Sequence, residues 1–180
     1  MLIGGWTFGA QRQVHGYDAV RDTISALAAV GAQDRWIMTV ALALLGVCHL
    51  VTAIGLHAAR TTGRILLGLG GLATVAVSLA PQPAHGSSSV HVSAAAVGFL
   101  ALTLWPVMAW GSSARSPSRR NGLLASALLL ALLVWLAAEL GGGAQLGLAE
   151  RVLAGAQALY PLLVVISLGR WCMSTARAGQ

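Results

Sequence analysis

Residues 17–36 read YDAVRDTISALAAVGAQDRW and form a polar stretch in an otherwise apolar chain. This stretch contains three of the five acidic residues of the protein, together with Arg21, Arg35 and Ser25. Long hydrophobic segments follow it, as expected of helices that cross a membrane. The contrast predicts a protein in which one polar segment lies at the end of a bundle of apolar helices.

The composition of the 180 residues indicates an integral membrane protein. Hydrophobic residues make up 57% of the chain, charged residues make up 9%, and the mean hydropathy is +0.76. A soluble domain carries about a quarter charged residues, so lipid rather than water must cover most of this surface. A net charge of +6 would suggest nucleic acid in a soluble domain. Here the arginines are scattered among loops, and no nucleic-acid partner is predicted.

The hydrophobic segments predict a single all-α domain, a membrane bundle of about six transmembrane helices. Residues 1–12 are only about half of the roughly 20 residues that a spanning helix needs. We therefore expect them to be the outer half of a first helix whose start lies upstream. Glycines in the second full span permit close approach between helices. The five full spans are expected at residues 36–57, 64–80, 90–111, 123–140 and 152–171.

Residues 18–30 have the periodicity of a short amphipathic helix. Thirteen residues rise only about 20 Å, which is too short to cross a bilayer. We expect this helix to lie in the interface, docked over the bundle with its polar face inward. The alternative is a solvated surface helix whose charges pair with one another. The predicted polar face consists of Asp18, Arg21, Asp22 and Ser25.

The distribution of arginine predicts the orientation. If the spans alternate, seven arginines lie on one side without acidic partners: Arg60, Arg64, Arg115, Arg119, Arg120, Arg170 and Arg177. On the other side, four arginines face four acidic residues: Arg12, Arg21, Arg35 and Arg151 against Asp18, Asp22, Asp34 and Glu150. Cytoplasmic loops carry the excess of basic residues. The C-terminus is therefore expected in the cytoplasm and residues 13–35 outside.

Candidate functional residues gather at this outer boundary. An ionisable residue inside a span costs about 2.5–3.5 kcal/mol on insertion scales, and is therefore a functional candidate. Glu139 and His49 meet this criterion, although Glu139 could reach the headgroups and His49 could be a hydrogen-bonded interior histidine. The candidate acids or bases are Asp22, Glu139 and Asp18. The candidate ligand-binding residues are Tyr17, Arg21, Ser25, Arg35, Trp36, His91 and Trp135.

The histidines predict no cofactor. His49 lies deep in its span whereas His91 lies at the boundary, so the two do not match the ligands of one haem. His85 and His91, with one of Asp18, Asp22 or Glu139, are weak candidates for a metal site. The sequence has no aspartate-rich prenyl-diphosphate motif, phosphate loop, GxSxG or CxxC. A hydrolase built on Ser25 has no support from spacing.

Four segments resemble a known family: GGW, YDAVRDTISALAAVGAQDRWIMT, RILLGLGGLATVAVSLAP and SSSVH. The chain is similar over nearly its whole length to uncharacterised actinobacterial membrane proteins grouped as domain of unknown function 998. The resemblance implies about six helices in a bacterial inner membrane and implies no activity. The short first helix departs from the family pattern. The family motif falls on Tyr17, Asp18, Arg21, Asp22, Ser25, Arg35, Trp36 and His91.

Three functions fit these observations. The first is a membrane protein that binds a lipid or isoprenoid in an external polar pocket roofed by residues 18–30. The second is a membrane-embedded enzyme on such a substrate, resembling an acid-initiated terpene cyclase or a lipid hydrolase. In such an enzyme, Asp22 or Glu139 would be the general acid or base, and Trp135 would form an aromatic wall of the cavity. The third is a structural subunit that packs against a partner membrane protein or a second copy through its glycine-rich span.

Overall fold

The computed structural model describes residues 1–14, 16–111 and 119–178, and side chains up to Arg170. Five of its helices are long and apolar enough to cross a membrane. The prediction of an all-α membrane bundle with six helices is confirmed, while Arg115 lies outside the described residues. The helices are α1 Leu2–Gln11, α2 Trp36–Gly55, α3 Thr61–Leu79, α4 Ser89–Ala109, α5 Arg119–Glu139 and α6 Leu146–Ala178, with a 3₁₀ helix at Ser25–Ala28.

The last helix begins one and a half turns before the predicted span. Leu146, Ala149 and Leu153 share one face, and all three pack in the cluster between α5 and α6. This spacing continues the apolar stripe of α6 upstream past two charged residues. As a result, Glu150 and Arg151 lie within the helix rather than in a loop.

Helices α2, α3 and α4 form the tightest part of the bundle. A methyl group added at Gly46 of α2 would lie 2.7 Å from the Gly71 carbonyl oxygen of α3, and one added at Gly71 would lie 2.8 Å from the Gly46 carbonyl oxygen. A methyl group added at Gly70 would likewise lie 2.6 Å from the Leu102 side chain of α4. The glycine-rich face of α3 is therefore used inside this chain, which argues against the expectation that it packs against a partner.

We expect Gly71→Ala to destabilise the protein by about 1–3 kcal/mol, because its added methyl group meets a backbone carbonyl that cannot easily move. Gly68→Ala on the same helix is the matched control. Its methyl group would meet only the Ala53 Cβ at 3.7 Å, and alanine favours a helix by up to about 1 kcal/mol. Thermal unfolding in detergent measures both. Equal losses in the two variants would contradict the proposed close contact.

Residues 17–28, called the lid below, cover one end of the bundle. The expected continuous helix over residues 18–30 is wrong, since the segment consists of turns and the 3₁₀ helix Ser25–Ala28. The Asp22 carboxylate accepts the Asp18 N–H at 2.7 Å, and the Asp18 carboxylate accepts the Val20 N–H at 2.8 Å. Such local bonds offer the backbone an alternative to helix. The aspartates thus favour a turn where periodicity alone favoured a helix.

Burial of apolar side chains docks the lid on the helices. Ile24, Leu27 and Ala28 are buried in one cluster with Leu2 of α1 and Met38 of α2. The Val30 N–H also donates to the Gln82 carbonyl at 2.9 Å, which ties the end of the segment to the α3–α4 loop. The predicted position over the bundle is therefore correct, although the predicted conformation is not.

Candidate functional site beneath the lid

The lid is attached to the first turn of α6 through the backbone. The Gly147 N–H donates to the Arg21 carbonyl at 3.2 Å, and the Leu148 N–H donates to the Val20 carbonyl at 3.0 Å. These are N–H groups that a helix leaves unpaired at its start. A Cβ at residue 147 would overlap the Asp22 carbonyl, so only glycine allows the chains to approach this closely.

Arg151 holds the lid with its guanidinium group. Nη1 donates to the carbonyl oxygens of Ala19 at 2.7 Å, Asp22 at 2.8 Å and Gly147 at 2.9 Å. Nη2 donates to the Tyr17 hydroxyl, and the guanidinium carbon lies 5.6 Å from the centre of the Tyr17 ring. Hydrogen bonds from a charged donor are stronger than neutral ones. Arg151 is therefore the main polar link between lid and bundle.

The Tyr17 hydroxyl completes this link. It donates to the Thr23 carbonyl at 3.1 Å while accepting from Arg151. Burial raises the pKa of the Tyr17 phenol above its ordinary value, although the Arg151 guanidinium acts in the opposite direction. Tyr17 is thus neutral at physiological pH, and its proton is what it donates to the lid carbonyl.

Three polar side chains meet directly beneath the lid. Glu150 is 6% exposed. Its Oε2 accepts the Ile24 N–H at 2.5 Å, and its Oε1 lies 3.3 Å from Ser25 Oγ. Ser25 Oγ also lies 3.1 Å from His91 Nε2, and His91 Nδ1 lies 2.7 Å from the Ala80 carbonyl oxygen. The lid, α4 and α6 thus each contribute one member of a Glu150–Ser25–His91 cluster.

A cavity of about 60 Å³ extends from this cluster into the bundle. Its wall is mostly apolar, and its polar side chains are Ser25 and Glu150 near the lid and His49, Thr74 and Gln157 further along. This volume holds about four or five water-sized groups. The apolar lining residues are Leu2, Ile24, Leu42, Leu45, Val77, Ala94, Ala95, Gly98, Phe99, Leu102 and Ala154.

His49 faces this cavity without a hydrogen-bond partner among the described residues. It is 2% exposed, and neither Nδ1 nor Nε2 has a partner there. The prediction of an interior histidine is confirmed, whereas neither ring nitrogen makes a hydrogen bond of ordinary length and angle, although the Gln157 backbone lies close to the ring. Gln157, which also lines the cavity, is already bonded to the Phe99 carbonyl at 3.0 Å and Thr103 Oγ1 at 3.1 Å. A buried polar group left unpaired costs about 1–3 kcal/mol.

The structure brings together only some of the predicted site residues. Ser25 and His91 are in contact, and Tyr17 is linked to them through Arg151 and Glu150 on α6. Asp18 and Arg21 lie exposed on the lid surface. The Asp22 carboxylate is engaged in the lid turn. The prediction that all four polar residues of the lid point inward is therefore wrong, since only Ser25 reaches the cavity.

Glu139 and its neighbours lie away from the cluster. Glu139 ends α5, and its carboxylate accepts the Gln145 N–H at 2.8 Å in the α5–α6 turn. Trp135 packs in the α5–α6 cluster. Arg35 precedes α2 and is partly buried, while Trp36 begins α2 and is exposed. None of these four residues lines the cavity.

The weak metal candidates do not come together either. His85 is exposed in the α3–α4 loop, whereas His91 is buried and bonded to Ala80 and Ser25. Across the part of the chain that the structure describes, no three His, Cys, Asp or Glu side chains are grouped as a metal ion requires. The residues present therefore do not support the candidate metal site.

Glu150, Arg151 and Gln157 are functional candidates that the sequence reasoning missed. The two charged residues interrupt the hydrophobic run and so appeared to belong to a loop. The signal that could have found them is the spacing of Leu146, Ala149 and Leu153, which continues the helix past the charges.

The comparisons with known proteins match this chain to one family model. That model is described as "Protein of unknown function (DUF998)" and matches residues 3–167, which include the lid, His49, His91 and Glu150. The resemblance to this family of unknown function is confirmed. Neither a curated protein nor a solved structure matches the chain.

Proposed function

Because the chain belongs to the DUF998 family of proteins of unknown function, we propose a function from its geometry: it binds part of a lipid or isoprenoid molecule in the cavity beneath the lid. The observation that carries this proposal is an apolar cavity that a buried, unpartnered imidazole faces. Ligand sites are typically apolar and contain a few polar groups that orient the ligand.

The size of the cavity defines how much of the ligand it receives. Room for about four or five carbon-sized groups matches one isoprene unit or a short length of acyl chain. The remainder of such a molecule extends towards the surrounding membrane. The polar end group of the ligand is proposed to lie beside Ser25 and Glu150, where hydrogen-bonding groups are concentrated.

His49 supplies a second polar position for the ligand. Glu150 and Gln157 are seven residues apart on α6, which is about 10 Å along a helix, and His49 lies close to the Gln157 backbone. A ligand with a hydrogen-bonding group at this depth pairs with the imidazole. This favours an oxygen-bearing chain over a plain hydrocarbon.

Native mass spectrometry of the purified protein tests the proposal. Wild type is expected to retain one lipid-like species after delipidation. Ala95→Phe, which places a phenyl ring in the cavity, is expected to lower that retention at least tenfold, because the ring occupies the space that the ligand needs. His49→Leu is expected to lower it about fivefold, the equivalent of one hydrogen bond of about 1 kcal/mol.

Ala96→Phe is the matched control for the cavity variant. Ala96 follows Ala95 on α4 but is exposed, so its ring projects away from the cavity. Retention in this variant should equal that of wild type. If Ala95→Phe and Ala96→Phe retain the same lipid equally, the cavity is not the binding site and the proposal is wrong.

The proposed orientation places the lid outside a bacterial inner membrane and the C-terminus in the cytoplasm. The test uses intact cells that express a variant in which Cys48 and Cys172 are replaced by serine. In this background, Val20→Cys on the lid should react with a membrane-impermeant maleimide. Thr61→Cys, exposed at the opposite end of the bundle, should react only after permeabilisation. The reverse pattern would show that the arginine asymmetry was misread.

A further inference from the structure

The hydrogen bonds of His91 fix which ring nitrogen carries hydrogen. Nδ1 lies 2.7 Å from the Ala80 carbonyl oxygen, which can only accept. In the neutral ring Nδ1 is therefore the donor, and Nε2 is an acceptor 3.1 Å from Ser25 Oγ. This is the arrangement in which a histidine accepts a serine proton while a third group orients the ring.

Ser25 differs in its contacts from Ser78 and Ser167. The hydroxyl groups of Ser78 and Ser167 donate to carbonyls three and four residues earlier, as is usual in helices. Ser25 instead contacts two ionisable side chains from distant parts of the chain, His91 and Glu150. It is only partly buried and lines the cavity. A ligand in the cavity can therefore reach its oxygen.

The contact between Ser25 and Glu150 has two forms: Ser25 Oγ donates to an ionised Glu150, and a protonated Glu150 donates to Ser25 Oγ when Ser25 itself donates to His91. When Ser25 donates to His91, the 3.3 Å contact between Ser25 Oγ and Glu150 Oε1 is a hydrogen bond only if Oε1 carries hydrogen. The other oxygen is held by the Ile24 N–H at 2.5 Å. A neutral carboxyl group in such a position can donate to a carbonyl oxygen on which negative charge develops.

The geometry points to an activity of this cluster: Ser25 is the nucleophile of an acyl-transfer reaction on a lipid ester, with His91 as its base. The inference rests on the proposed function, because the acyl chain of the ester occupies the cavity. It also replaces Asp22 and Glu139, the acids that the sequence suggested, with residues that the fold brings together.

The reaction balances with water as the second substrate. Ser25 Oγ bonds to the ester carbonyl carbon, its proton passes to His91 Nε2, and the carbonyl electron pair moves onto the oxygen that Glu150 contacts. The ester C–O bond then breaks, and the leaving alcohol takes the proton from His91. Water then bonds to the acyl carbon of the acyl-serine while His91 Nε2 takes a proton from it. The bond between the acyl carbon and Ser25 Oγ breaks, and His91 returns the proton to Oγ, which releases a carboxylic acid and restores both residues.

Labelling by alkyl fluorophosphonates tests this inference without knowledge of the ester. These probes phosphonylate an activated serine with loss of fluoride. In the purified full-length protein, peptide mass spectrometry should find the adduct on Ser25, and Ser25→Ala should remove it. Ser93→Ala, an exposed serine on α4, should leave it unchanged. An unlabelled Ser25 in folded wild type, with both short and long probes, overturns the inference.

His91→Asn separates catalysis from structure. The asparagine amide can still donate to the Ala80 carbonyl but offers no acceptor in the place of Nε2. Labelling of Ser25 should fall at least 100-fold, as for loss of a general base, while the unfolding temperature stays near that of wild type. Glu150→Gln keeps a donor and an acceptor, so labelling should stay within about tenfold. A loss equal to that of His91→Asn would refute the donor role of Glu150.

Ala95→Phe distinguishes this inference from the proposed function. With the cavity filled, a hexadecyl probe should no longer label Ser25, whereas an ethyl probe still should. If wild type is labelled at Ser25 but retains no lipid, the role of Ser25 as nucleophile stands and the lipid-binding function is wrong. If wild type retains lipid but Ser25 is not labelled, the lipid-binding function stands and the nucleophile role is wrong.

Discussion

Gly147→Ala is expected to destabilise the protein by about 3 kcal/mol and to release the lid from α6. The added methyl group overlaps the Asp22 carbonyl, which belongs to the lid backbone and cannot rotate away as a side chain could. Overpacking typically costs about 1–3 kcal/mol. We expect the upper end here, because moving the Asp22 carbonyl also disturbs its hydrogen bond to Arg151.

Amide hydrogen exchange locates this effect. Exchange in residues 17–28 should accelerate by about 100-fold or more in Gly147→Ala, the equivalent of roughly 3 kcal/mol, while α2–α4 keep their protection. Gly169→Ala on the same helix is the control, since nothing lies within 4 Å of its added methyl group. Uniform acceleration across the bundle in Gly147→Ala would mean that the lid is not a separate unit.

Hydropathy predicted the membrane helices well because lipid sets their composition directly. A helix surrounded by hydrocarbon has apolar residues on every face, so its length and position follow from the sequence. The predicted spans of α2 to α5 begin or end within a few residues of the observed bounds. The same criterion failed at α6, where Glu150 and Arg151 point towards the lid and the cavity rather than towards lipid.

The two glutamates illustrate why the site could not be predicted from a single sequence. Glu139 and Glu150 both lie near the lid end of the bundle, but the sequence predicted only Glu139 inside a span and placed Glu150 in a loop. Glu139 is at the last position of α5, where its carboxylate pairs with the α5–α6 turn. Glu150 is one turn inside α6 and faces the bundle. The difference depends on where α6 begins, which hydropathy did not reveal.

The contact between Ser25 and His91 likewise depends on the fold. The two residues are separated along the chain by the last three residues of the lid and by α2 and α3, and periodicity gives only the end of the bundle at which each lies. The turn in the lid leaves Asp18 exposed, holds the Asp22 carboxylate on the Asp18 N–H, and leaves Ser25 directed inward. A continuous helix over residues 18–30 would have placed all four polar residues together.

The lid and the cluster are one physical unit, because neighbouring residues of α6 serve both. Arg151 binds the lid carbonyls from the outer side, and Glu150 accepts the Ile24 N–H from the inner side. The position of Ser25, one residue after Ile24, is therefore set by the same attachment. Any change that loosens the lid should also disturb the Ser25–His91 contact.

Arg151→Met tests this coupling and is expected to have the second large effect. The substitution keeps most of the aliphatic volume but leaves the carbonyl oxygens of Ala19 and Asp22 without their donor. Hydrogen bonds to charged groups contribute about 1.5–3 kcal/mol each, and their losses are not fully additive. We expect a loss of about 3 kcal/mol by thermal unfolding, together with faster amide exchange in the lid.

Arg12→Met supplies the matched comparison for a second arginine near the lid end. Arg12 pairs with Asp34 at 2.8 Å, but their side chains are 53% and 27% exposed, and exposed ion pairs contribute about 0–1 kcal/mol. Its removal should therefore change the unfolding free energy by less than about 1 kcal/mol and leave exchange in residues 17–28 unaltered. Equal losses in the two variants would mean that the hydrogen bonds from Arg151 to the lid contribute little, and that apolar burial holds the lid instead.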